Sequence, residues 1–458
     1  MTYASDPEIG LRLARFVRGL KPEDIPDSAR ETAALLLLDT LGIAIAATPM
    51  DAGIAARETA FRLYGAGTSA DTTHMIFDGR PASLAGAAFA TASQIDNLDG
   101  HDGYNPTKGH IGVAVVPALV AVAEHLPDLS GPEALTALTL GYEIAGRAGL
   151  SLHASVSDYH TSGAWNGLGV AALAARLRGT TPEHLREAWG IAEYHGPRSQ
   201  MMREIANPTM LHDGSAMGAL VGMSSVIMAE MGFTGAPAIT LEAAEAEAFW
   251  ADLGQFWQVE HQYIKPYPIC RWAHAPIDAA RELCIAHDVT ATQIERIEVA
   301  SFKNAVQLFP TMPDTTSQAQ YALAFPVATM IAHGEIGLEH ISGEGLRDPR
   351  VANLVARTLV TESPAHEARF PISRSADVTL TLKDGRVLAS GDVDARGGPE
   401  RPFTAADIEE KYLRFAVPVL GETRARDIRD ACLNLTASKS KFEDLRAILI
   451  EPPSKSAN

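Results

Sequence analysis

The sequence predicts a mainly α protein with an α+β part: a large all-helical domain built from both chain ends and a smaller α+β lid domain. Three observations carry this prediction. Helical periodicity dominates the N-terminal half, strand-like alternation takes over after about residue 265, and helical spacing returns from Ala405. The division that follows is 1–267 for the first helical part, 268–400 for the lid and 401–458 for the returning helical part.

Taken in order, the segment Asp27 to Ala47 opens with Asp-Ser ahead of an apolar run, a helix-start signal. Helices rich in Ala and Gly are expected at Ser83–Asp96, Val113–His125, Gly131–Gly149, Ser162–Leu177 and Asp213–Met231. Small residues on so many helices predict close helix–helix packing. In TTPEHLREAWGIAEYH, Thr181 suits an N-cap with Pro182 at the first helical position. ATQIERIEVASF and SADVTLTLKDGRVLAS alternate with the period of strands, and Asp384-Gly385 marks a hairpin. The last helical stretch is Ala405–Ile448, ahead of a polar tail, PPSKSAN.

Composition narrows the function. A chain of 458 residues, 46% hydrophobic and 21% charged, is long and apolar enough to bury a large core. Its 38 Lys and Arg against 56 Asp and Glu give a formal charge of −18, which repels nucleic acid and anionic lipid, so neither is an expected partner. A few focused cations can still bind an anionic substrate. Cys270, Cys284 and Cys432 show neither CxxC nor metal-ligand spacing, so no disulfide framework is expected, and the segment from Asp96 to Gly112 matches neither a Walker A loop nor a zinc signature, so no structural metal or nucleotide cofactor is expected. The N-terminus lacks a charged region followed by an apolar one, and AALLLLDTLGIAIAA is too short for a span and contains Asp39; a cytoplasmic protein is expected.

The most informative segment is DNLDGHDGYNPTKGHIG, from Asp96 to Gly112. It sets Asp96, Asp99, His101, Lys108 and His110 among glycines directly ahead of an apolar helix, where the backbone can approach a ligand and imidazoles can exchange protons near neutral pH. His160 stands just before the helix start marked by Thr161 and Ser162, where the helix N-terminus can attract a carboxylate. His212 and Asp213 open another helix; His212 is the site candidate there and Asp213 reads as an N-cap. Lys265, Arg271 and His274 fall on the junction of the two expected domains, a favoured place for a ligand cleft, and the Lys–Arg pair suits a polycarboxylate. Cys270, beside Ile269 and close to Trp272, reads as buried rather than nucleophilic.

LLLDTLGIAIAA, GHIGVAVVPALVAVAE, GYEIAGRAG, YHTSGAWNGLGVAALAARLRG, LHDGSAMGALVGMSSVIMAEMGFTGAPAI and KPYPICRWAHAPIDAA, in this order, resemble the MmgE/PrpD family. That family includes 2-methylcitrate dehydratase, cis-aconitate decarboxylase and iminodisuccinate epimerase. The resemblance implies a helical domain from both chain ends with a lid between them, a homodimer, and metal-independent chemistry on dicarboxylates and tricarboxylates. It places Asp96 on the family's first loop aspartate, His110 on the histidine ahead of Pro117, His160 on the histidine before the next glycine-rich helix, Lys265 on the lysine of the lid-junction motif and His212 on the histidine of a Thr-Lys-x-Leu-His run. The chain departs from the family at Asp96-Asn97-Leu98-Asp99-Gly100, at Thr209 where that run has its lysine, and at Cys270 where the decarboxylases carry a second histidine. Lys108 and Arg203 are the candidates to replace the lost charge.

The expected activity is that of a lyase on a small di- or tricarboxylate, dehydratase or decarboxylase in type. The proton α to a carboxylate would be taken by His110 or His160, held by Asp96 or Asp99, while Lys265 and Arg271 neutralise the developing charge. His101 belongs to the same catalytic group, and Asp99, Lys108, Arg203, His212 and His274 to the substrate-binding one. An epimerase or isomerase, and a noncatalytic organic-acid-binding protein, stay open at this point.

Overall fold

The computed structural model describes residues 5–67 and 70–453, so most of the PPSKSAN tail lies outside the described residues. The helix Asp27–Ala46 is apolar almost all round, and from Leu36 to Ala46 every residue is buried. A helix with no polar face belongs inside a bundle, where each fully buried Leu or Ile contributes about 1.5–3 kcal/mol. The C-terminal helix Ala405–Leu420 lies against it. There Gly42 admits the Tyr412 ring, which a Cβ would meet at 2.9 Å, and Lys411 pairs with Asp39 at 2.6 Å.

Around this pair stand Leu84–Leu98, Gly112–Ala123, Gly131–Ser155, Gly163–Arg178 and Ser215–Glu230. Their small residues serve the expected close packing. A Cβ on Gly169 would lie 2.3 Å from the Gly141 carbonyl, so the helices Gly131–Ser155 and Gly163–Arg178 touch backbone to backbone only because glycine stands there. Thr181 caps Pro182–His195 by accepting from the His184 N–H, as its spacing predicts.

The α+β part contains a sheet in the order Thr358–Glu362, Ile294–Ser301, Ser375–Leu382, Val387–Ala389; the first pair is parallel, the other two antiparallel, and Val393–Asp394 pairs with the start of Ser375–Leu382. Ala376, Val378, Leu380 and Leu382 are buried in strict alternation. The Asp384-Gly385 turn closes the hairpin with Gly385 at φ 91°. The helix His274–His287 covers one face of this sheet. The last helical stretch comprises three helices, Ala405–Leu420, Glu422–Asn434 and Phe442–Ile450, because Gly421 and the segment after Asn434 interrupt the spacing. Buried apolar residues of both parts join in one continuous cluster. No single helix among the described residues is long and apolar enough to cross a membrane.

Candidate active site

A narrow cavity lies where the helical bundle meets the α+β part, and Asp99, Lys108, His110, Asp213, Lys265, Cys270, Arg271 and Arg374 line it with the rings of Tyr159, Tyr263 and Tyr321. Local backbone geometry places the first three. Asp99 ends the helix Leu84–Leu98 in the left-handed region at φ 53°, and Lys108 ends a single turn at φ 55°. Non-glycine residues in that region carry strain, and its clustering at one cavity is typical of sites. Tyr263 and Gly103 exchange backbone hydrogen bonds of 2.7 and 3.1 Å. A Cβ on Gly103 would fall 2.3 Å from the Tyr263 hydroxyl and 2.7 Å from His110 Nδ1, so glycine is required for both groups to share the cavity wall.

His110 is the best-determined group. Its backbone N–H donates to Ser162 Oγ at 2.9 Å, its Nδ1 lies 2.9 Å from the Asp102 carbonyl, and its Nε2 lies 3.1 Å from Asp213 Oδ2. A carbonyl can only accept, so Nδ1 carries a proton. Nε2 then faces a carboxyl oxygen, and one further proton must bridge them. Burial holds the His110 imidazole well below its ordinary range. Burial, and after it Asp99, raises Asp213. Both shifts favour Asp213 over His110 as the holder of a shared proton and leave the imidazole neutral.

Asp213 is therefore not the N-cap that its place in the sequence suggests. Gly214, at φ 68°, occupies the cap of Ser215–Glu230, and the carboxylate that accepts from Ser215 N–H is the distant Asp96, at 3.2 Å. The two aspartates exchange the expected roles: Asp96 caps a helix, and Asp213 holds the histidine. The turn that achieves this includes His212 at φ 43°.

The other candidates divide. Lys265, fully buried, donates to the Asp99 carbonyl at 3.1 Å and pairs with the Asp99 carboxylate. His101, also fully buried, lies behind His110 with ring centroids 4.6 Å apart and Nε2 3.7 Å from Asp96. His212 sits under Tyr321, 3.5 Å from its hydroxyl, and burial takes its imidazole down to about 3. Arg271 lines the cavity, lying over the Tyr263 ring at 4.6 Å. Cys270 lines it too, and burial pushes its thiol up to about 12, so it is no nucleophile at neutral pH.

Three candidates stand apart from the cavity. Arg203 is exposed on the short helix Met201–Ala206 and does not replace the missing lysine, while Thr209 is exposed and tied to the Leu211 N–H. His274 is a core histidine with Nε2 2.8 Å from the Ile269 carbonyl. His160 bridges backbone with Gln200, and its charged neighbours are Arg198 and Asp158.

The sequence reading missed Arg374, Tyr159, Tyr263 and Tyr321. Arg374 stands in ISRSAD, an ordinary strand approach, and only the fold brings it to Lys108. Asp99, His101 and His110 place one ligand atom each within 4.8 Å of one another, a spacing that can hold a divalent ion. The Lys265 ammonium already neutralises Asp99, so an ion there would face a positive charge at close range.

The helical bundle and the α+β part thus bring cations, a His–Asp pair and tyrosine rings together at their junction. The MmgE/PrpD N-terminal domain profile matches residues 11–251 and the MmgE/PrpD C-terminal domain profile residues 267–436. The chain belongs to the MmgE/PrpD family. It is 24% identical to the cis-aconitate decarboxylase of Mus musculus, over 94% of this chain and 90% of that protein. It is likewise 24% identical to those of Homo sapiens, over 96% and 94%, and Aspergillus terreus, over 92% of each.

Proposed function

We propose that the protein is a lyase acting on a small di- or tricarboxylate, of decarboxylase or dehydratase type, with the His110–Asp213 pair as its proton-transferring group. The observation that carries the reading is the 3.1 Å contact of His110 Nε2 with Asp213 Oδ2, close enough to share a proton, in a cavity that also presents Lys108, Arg271 and Arg374. In the resting state the pair can give that proton to a carbanion left by loss of CO2 or to a departing hydroxyl. Once emptied, neutral His110 and ionised Asp213 can accept a proton from the carbon α to a carboxylate. Fixed cations stabilise the enediolate-like charge, and a buried site makes each of them count for more than in water. The similarity to cis-aconitate decarboxylases supports the lyase over the other outcomes of the same chemistry.

Proton NMR in D2O with 2-methylcitrate, cis-aconitate, citrate and iminodisuccinate tests this. New olefinic signals or loss of a carboxyl group are expected. Deuterium entering an α position without net change would instead indicate an epimerase or isomerase. Ligand-induced shifts without exchange would indicate a binding protein.

A further inference from the structure

Buried arginines in this protein follow a rule with two exceptions. Among the described residues, Arg57, Arg147, Arg271, Arg374 and Arg446 are buried. Arg57 pairs with Asp78 at 3.3 Å, Arg147 with Glu143 at 3.4 Å, and Arg446 with Glu124. Arg271 and Arg374 make no ion pair among the described residues, and both line the cavity. Their guanidinium groups bond only to main-chain carbonyls, Arg271 to Arg396 and Ala395, Arg374 to Pro371 and Asn105, and each lies over a ring, Tyr263 at 4.6 Å and Phe370 at 4.8 Å. In each, Nε is buried without a partner. Lys108, also without an ion pair among the described residues, lies over Tyr159 at 4.2 Å, and the Arg374 charge disfavours those of Lys108 and Arg271, while Glu400 acts on both arginines in the opposite sense. Two buried guanidinium groups and a half-buried ammonium without ion pairs, gathered at one cavity in a chain of formal charge −18, are an arrangement that a bound polyanion suits.

We propose that Lys108, Arg271 and Arg374 form one anion clamp across the junction, in which Arg374 binds a carboxylate that a tricarboxylate carries and a dicarboxylate lacks. This rests on the reading of the cavity as a carboxylate site and goes beyond it by naming the discriminating residue. Lys108 comes from the bundle loop, Arg374 from the approach to the strand Ser375–Leu382, so one anion bound to both ties the two parts together. Arg374 cannot be exchanged for lysine without loss, because the Asn105 and Pro371 carbonyls and the Phe370 ring fix a planar fork.

Titration calorimetry with propane-1,2,3-tricarboxylate and with succinate tests the clamp on the full chain. Arg374→Met is expected to weaken the tricarboxylate at least tenfold and succinate less than threefold, with Arg374→Lys between it and the native protein. Lys108→Met, at a half-buried position, gives a second variant should Arg374→Met fail to fold. Equal affinities of native protein and both variants for the tricarboxylate would overturn the clamp while leaving the carboxylate site standing. No binding of either acid by the native protein would overturn both.

Discussion

Two histidine-centred constellations of this molecule differ in their surroundings more than in their hydrogen bonds. In the α+β part, His366 has Nδ1 2.8 Å from Ser375 Oγ and Nε2 2.9 Å from Asp377 Oδ2, a Ser–His–Asp arrangement with better distances than many catalytic ones. Ser375 is fully buried at the start of a strand, with its carbonyl accepting from Ser301 Oγ, and none of the three borders the cavity. His110 and Asp213 share the same kind of hydrogen bond but border the cavity, beside arginines that make no ion pair among the described residues. Good hydrogen-bond geometry therefore does not make a site. What does is a proton that can leave, room for the group that takes it, and charge waiting for a partner.

The largest effect that would break this comparison is on turnover. His110→Asn and Asp213→Asn are each expected to lower kcat/KM about 10²–10⁴-fold, the usual range for a positioned acid or base, with the fold retained by circular dichroism. Native turnover in either variant would remove the pair from the mechanism. His160→Asn, next to Arg198 and Asp158, is expected to cost less than either. A smaller effect is expected on the other constellation. Ser375→Ala and His366→Ala each leave buried polar partners unsatisfied and should lower unfolding stability by about 1–3 kcal/mol in urea titrations, with kcat unchanged. A loss of kcat at constant stability would show that the two constellations are not different in kind.

Local signals were readable in the sequence wherever local physics decides. The Thr181 cap, the Asp384-Gly385 hairpin, the period-of-two strand Ser375–Leu382 and the apolar central helix all stand where their residues predict. The loop from Asp96 to Gly112 was visible as chemistry-bearing because glycine, histidine and aspartate crowd together there. The assignments that failed depend on distance in space. Nothing local distinguishes an aspartate that caps its own helix from one displaced by Gly214 while Asp96, 119 residues away in sequence, takes the cap. Likewise Arg203 has the right charge and the wrong face, whereas Arg374 reaches Asn105 across 269 residues. A His-Asp pair followed by Gly-Ser is the one signal that marked Asp213, and it also fits a plain N-cap.

The last expected effect concerns the wall behind His110. Asp102 orients that ring through its carbonyl, while its side chain is fully buried, accepting from Thr40 Oγ1 at 3.2 Å; burial, and after it Asp39, pushes the carboxyl up to about 7. Between the ordinary 3.8 and about 7 the native protein keeps a proton that the unfolded chain releases. The stability this proton provides is complete below the unfolded value and lost as pH rises through the native one, at no more than about 1.4 kcal/mol per pH unit. Asp102→Asn retains the carbonyl oxygen for Thr40 and has nothing to ionise. Its stability relative to the native protein should therefore increase from pH 5 to pH 7 and level off above, in paired urea titrations that cancel the other titrating groups. A difference that stays flat across this range would mean that Asp102 is already ionised in the folded protein, and that Lys411, paired with Asp39 and donating to the Gly100 carbonyl at 2.7 Å, compensates two buried carboxylates rather than one.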